Sequence, residues 1–132
     1  MPLLWSVNHG AKVVRLRLVE PLAFDDWFSV VDSILHDPSI DREYRIVVDR
    51  TAMSGPSDEY AQQMALFFAR RQRILAQRRI AVLAQPAAVP ALMPVQAVLN
   101  SRIGAYSRVF TKLDDAHAWL LECDDSLAPI PW

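Results

Sequence analysis

Residues 47–60 read VVDRTAMSGPSDEY. A β-branched apolar run ends in Asp49, a short loop carries Ser54 and Gly55, and a helix opens at Pro56 or Ser57. A strand that gives way to a helix through so short a loop is the repeating unit of an α/β protein. The strand begins further back, in YRIVVDR (44–50), which reads as a central strand because it is short, apolar and β-branched. The helix runs on from about Ser57 to Gln77.

The same alternation continues in both directions. LLWSV and KVVRLRLV flank NHGA, so two β-rich runs around an Asn-x-Gly turn predict a hairpin. In the second run Val14, Leu16 and Leu18 alternate with Arg15 and Arg17, which gives one dry face and one wet face. FDDWFSVVDSILHD places Phe24, Trp27, Phe28, Val31, Ile34 and Leu35 at helical spacing. Its aspartates sit at the positive end of the helix dipole, and Pro38 ends it by disfavouring helical geometry at Asp37. RIAVLAQ is a further buried strand and AYSRVF the last one. Between them, Pro94 fits the first turn of a helix that ends before Gly104, and residues 86–93 read as an apolar loop or a single turn. TKLDDAHAWLLE closes the domain as a helix. The order is ββαβαβαβα. It predicts an α/β domain over residues 1–123, with a mixed five-stranded sheet, its first strand antiparallel, and about four helices. Residues 124–132 read as a tail.

Composition narrows the function classes. The chain has 132 residues, half of them apolar, enough for one domain with a real core. Fourteen basic residues against fifteen acidic ones argue against a nucleic-acid or anionic-membrane binder, both of which use basic excess. No apolar run has the length of a membrane span, and the first residues lack the basic start and apolar stretch of a leader peptide. One cysteine, Cys123, forms no internal disulfide, so a reduced, cytoplasmic protein is expected. His9, His36 and His117 have no metal-binding spacing, and no nucleophile elbow or dinucleotide fingerprint occurs. No metal, cofactor or catalytic residue is therefore assigned, and an enzyme is not expected. Asp49, at a strand's carboxyl end, occupies a place where α/β proteins put site residues, but it also suits a bond to loop amides.

Four stretches, G-x-x-VVRLRL, FDDWF, IVVD…SGP and RVFTKLDDAHAWLL, taken in this order and spacing, resemble the SpoIIAA-like group, relatives of the STAS domains of anti-sigma factor antagonists. The likeness spans residues 5–121. It implies a βα superhelix with no metal or organic cofactor and, as in STAS proteins, a protein-binding role. In the phosphorylated antagonists the target serine follows an Asp at a helix start, after a longer loop. Here Asp49 and Thr51 match the first part of that pattern, but the loop is shorter and Ser54 lacks the preceding Asp. Ser54 and Ser57 are thus read as switch or helix cap, with the cap favoured. Ser is a strong cap residue, and Asp58 and Glu59 would repel a phosphate there.

Two features suit binding. On the 57–77 helix, Ala61, Met64, Ala65, Phe68, Gln72 and Leu75 form a stripe toward the sheet. Tyr60, Phe67 and Ile74 form a second stripe interleaved with Arg71 and Arg78. Aromatic residues with Arg suit a protein interface, so this stripe is expected to make a homodimer or partner contact. The alternative is a wide core face whose arginines snorkel. The second feature is PAAVPALMPVQAVL (86–99), where Pro90 and Pro94 are expected to prevent one continuous helix. A small apolar, lipid-like ligand under this segment would be lined by Met53, Val89, Leu92 and Met93.

Overall fold

The computed structural model describes residues 3–123. Alternation decides how each strand faces. In β2 (Val13–Val19) Val14, Leu16 and Leu18 are buried while Arg15 and Arg17 lie in solvent, as the sequence predicts. The strand pairs antiparallel with β1 (Leu3–Asn8), from Leu3 opposite Leu18 to Asn8 opposite Val13. In the turn, Asn8 Oδ1 accepts from Ala11 N at 2.9 Å, and Lys12 takes a left-handed φ of 54°. β3 (Arg45–Ala52), β4 (Arg79–Leu83) and β5 (Tyr106–Phe110) add in parallel, and the sheet order β1-β2-β3-β4-β5 follows the chain. This is the expected α/β architecture with a mixed five-stranded sheet.

One face of the sheet carries the helices α1 (Phe24–Leu35), α2 (Asp58–Ala69) and α4 (Val89–Ala97). Trp27, Ile34, Met64, Phe68 and Val95 pack there on Leu16 and Ile46 in the main core. The other face is covered by α5 (Leu113–Cys123), whose Ala116 and Leu120 meet Val13, Val47, Ala81 and Phe110. Among the described residues no helix is long and apolar enough to cross a membrane. The tail at 124–132 lies outside the described residues.

Two helices differ from expectation. The predicted 57–77 helix is two: α2 ends at Ala69, and α3 (Gln72–Leu75) is a single short turn. No glycine or proline marks the break. Arg71 N donates to Phe68 O at 2.9 Å, tightening the last turn, and the Arg71 side chain reaches Asp32 of α1. In the apolar segment, one helical run goes from Val89 through α4 into a wider π turn at Val98–Ile103, and it contains both prolines. Pro90 lies in the first turn, where the missing N–H has no intrahelical partner to lose. Pro94 removes one bond from the helix interior. Burial of Leu92, Val95, Leu99 and Ile103 offsets that loss at about 1.5–3 kcal/mol for each fully buried side chain. Gly104 then stops the run in the left-handed conformation at φ 80°, as its C-cap.

Candidate functional site: a cavity between the sheet and three helices

The outer edge of β5 would leave free amide groups, and the helix above it supplies partners. Val109 N donates to Gln96 Oε1 at 2.9 Å, Ser107 N to Asn100 Oδ1 at 2.7 Å, and Asn100 Nδ2 to Ser107 O at 2.8 Å. These bonds fix α4 and its π turn over the edge of the sheet. Beneath them, between β2–β5 and α1, α2 and α4, lies a cavity of about 90 Å³. Its walls are almost wholly apolar, with Leu16 and Val48 from the sheet, Trp27 from α1, Met64 and Phe68 from α2, and Leu92 from α4.

Arg50 also lines this cavity. In β3 the helix-facing positions are 46, 48 and 50, so the period of two that buries Ile46 puts the Arg50 guanidinium into the core. It is only 4% exposed. Its Nε is buried without a hydrogen-bond partner, and no ion pair among the described residues reaches it. Burial lowers its pKa, opposed by Tyr60 and the Glu20 carboxylate. The Tyr60 hydroxyl is also buried and unpartnered, and burial pushes its pKa up, with Arg50 acting in the other direction. A buried polar group left unsatisfied costs roughly 1–3 kcal/mol, more when charged. Arg50 further borders a shallower depression at the carboxyl end of β3, formed with Glu20, Met53, Gly55, Ser57 and Tyr60.

The residues expected to bind a ligand separate. Leu92 lines the cavity and Met53 lines the depression, whereas Val89 and Met93 line neither, and Met93 is 41% exposed. The reason is the helix itself. Once residues 89–97 are helical, Leu92 and Val95 face inward and Met93 turns outward. Arg50 and Trp27 were absent from the expected set. The strand alternation that marks 46 and 48 as inward also marks 50, so the signal for Arg50 was present.

The expected interface stripe is buried in part within the monomer. Phe67 is 3% exposed, with its ring edge-on to Trp27 and Phe28 at 4.9 Å. Arg71 lies over the Phe67 ring at 3.7 Å and donates from Nε to Asp32 Oδ1 at 2.8 Å. Ile74 packs against the main core. Arg78 is 3% exposed and donates to three carbonyls, those of Ile74, Asp41 and Ile40, at 3.0, 3.0 and 3.1 Å. Tyr60 is half-buried against Phe24. Phe67 and Arg78 are therefore core residues, and Arg71 and Arg78 are satisfied within the monomer, as the wide-core-face alternative expects, while Tyr60, Arg71 and Ile74 stay partly exposed at the border of that face.

The loop residues read as switch or cap are held by local bonds. Ser57 is the N-cap of α2, and its Oγ accepts from Tyr60 N at 3.1 Å. Asp49 Oδ1 accepts from Thr51 N at 2.9 Å and from its Oγ1 at 2.6 Å. Ser54 N and Oγ both donate to the Glu20 carboxylate, at 2.5 and 3.3 Å. A Cβ on Gly55 would lie 3.2 Å from the Ala91 side chain and 3.3 Å from Ala88 Cα, so the loop rests closely against the α4 region and a larger residue there would have to displace it by a few tenths of an ångström. Ser57→Ala should cost about 1 kcal/mol in urea unfolding, the usual worth of such a cap, while Ser57→Asp should be near neutral because Asp also caps. Equal losses in the two variants would refute the capping role.

No protein-family model, curated protein or solved structure matches the chain.

Proposed function

We propose that this chain is a STAS-like, SpoIIAA-like module that acts without catalysis and holds a small apolar ligand between its sheet and helices. The observation that carries the reading is the cavity of about 90 Å³ with nearly all-apolar walls. Native interiors are close-packed and leave few voids larger than a water. An engineered cavity of about 150 Å³ lined by Leu, Ile and Phe stays dry and binds benzene. A cavity of the present size admits a short apolar group, and a longer chain would extend toward the depression beside Arg50. The sheet order and the hairpin-led first strand agree with the family likeness. Asp49 is engaged by Thr51, which supports a structural rather than catalytic role for it.

Self-association is a second reading, and a different surface supports it. β1 is an edge strand, and Leu4 and Trp5 on it are 55% and 43% exposed. Exposed apolar edges favour pairing with another strand.

Native mass spectrometry of the purified chain separates the two readings. A retained small-molecule mass, or saturable uptake of octan-1-ol in a calorimetric follow-up, is the expected result. Val95→Phe, which fills the cavity from α4, should fold with at most about 1–3 kcal/mol lost to overpacking and should take up no octanol. If the wild type retains nothing and takes up no octanol, the ligand reading fails. A dimer would then favour the β1 surface.

A further inference from the structure

We propose that Arg50 and the Tyr60 hydroxyl form an anion site at the mouth of the cavity, and that the ligand is an amphipathic acid, an aliphatic carboxylate. This rests on the cavity reading and adds the head group to it. The site has three independent marks. First, Arg50 borders both the apolar cavity and the depression that opens at the carboxyl end of β3, so one guanidinium stands where a tail would end and a head would begin. Second, Arg50 Nε and Tyr60 Oη are both buried donors without partners. Third, the ladder is irregular there. Arg17 pairs with Asp49 and Val19 with Ala52, so Arg50 and Thr51 together oppose Leu18. Such irregularities are concentrated next to functional sites.

A buried charge is destabilising unless it is paired and its donors are hydrogen-bonded. Among the described residues the electrostatic neighbours of Arg50 are Tyr60 and Glu20. Glu20 is already committed to Ser54 N and Oγ. A carboxylate entering head-last would meet the planar guanidinium fork, which suits a two-oxygen acceptor, with the phenol as a further donor. The acidic surroundings choose between heads. Glu20 borders the depression, Asp58 and Glu59 begin α2, and Asp26 acts on Tyr60. A doubly charged phosphate is penalised more by these carboxylates than a singly charged carboxylate, so the carboxylate is favoured.

The test is calorimetric titration of the full chain with octanoate and with octan-1-ol, which share a tail and differ in head. Wild type should bind octanoate on the order of tenfold to a hundredfold more tightly than octanol, the worth of a charge-assisted hydrogen-bonded contact. Arg50→Met should lower octanoate affinity to that of octanol. Tyr60→Phe, which leaves the strand untouched, should reduce the preference several-fold and serves if Arg50→Met does not fold. Equal affinity for the two probes in wild type overturns the anion site while leaving the apolar cavity reading intact. An undiminished octanoate preference in Arg50→Met overturns it as well. Binding of neither probe sinks both readings.

Discussion

Replacing Phe67 with Glu should unfold the protein. Phe67 lies at the centre of an aromatic cluster formed with Trp27, Phe28 and Phe68, each ring within 5.5 Å of its own, and Arg71 covers it at 3.7 Å. Removing a buried Phe side chain alone costs about 3–5 kcal/mol. The carboxylate must in addition be taken out of water, and Arg71, already paired with Asp32, answers only part of that charge. The sum approaches the whole stability of an ordinary domain, about 5–15 kcal/mol. Far-UV circular dichroism should therefore show a chain unfolded, or with a urea midpoint close to zero. A soluble Phe67→Glu protein with wild-type unfolding midpoint and a halved molecular mass would instead return the residue to an intermolecular interface.

The two outcomes differ because the sequence leaves the depth of α2 undetermined. Of the stripe read at 61, 64, 65, 68, 72 and 75, Ala61, Met64, Phe68 and Leu75 are buried, whereas Ala65 is half-buried and Gln72, past the end of α2, is exposed. What periodicity cannot state is how wide the buried arc is. α2 lies between α1 on one side and α4 on the other, so Phe67 is enclosed along with the sheet-facing residues. Arginines usually mark a wet face. Here Arg71 and Arg78 find acceptors in distant segments, at Asp32 and at the Ile40 and Asp41 carbonyls, and these pairings are set by tertiary structure. The same limit hid the end of α2, where no breaker occurs, and the start of α4, where Pro94 fits a first turn by sequence but Pro90 occupies it in the fold. The strands were easier. Period two is rigid, so Val14, Leu16 and Leu18 could only share a face, and register followed from the hairpin. That rule also put Arg50 among the apolar side chains, although its isolation there depends on which partners the fold brings near.

Arg78 and Arg50 are a matched pair for testing how buried arginines act in this protein. Both are less than 5% exposed, and burial lowers the pKa of both. Their environments differ in partners. Arg78 closes three carbonyls that come from two separate stretches of chain, so it ties the approach to β3 to the approach to β4. Methionine at 78 fills similar space but leaves those acceptors unanswered in a buried setting. The loss should be about 3–4 kcal/mol, since breaking a satisfied buried arrangement by removing one partner falls in that range. For a chain of this length that corresponds to a fall in melting temperature of roughly 10 °C. Methionine at 50 removes a charge whose Nε has no partner, so in the ligand-free protein Arg50→Met should be neutral or stabilising by about 1 kcal/mol. Thermal unfolding of the two variants beside wild type decides it. Similar losses in both would mean that bulk at these positions, rather than satisfied hydrogen bonding, sets their contribution. A loss confined to Arg78→Met would mean that Arg50 is retained at a standing cost to the ligand-free fold, as a residue kept for an anion would be.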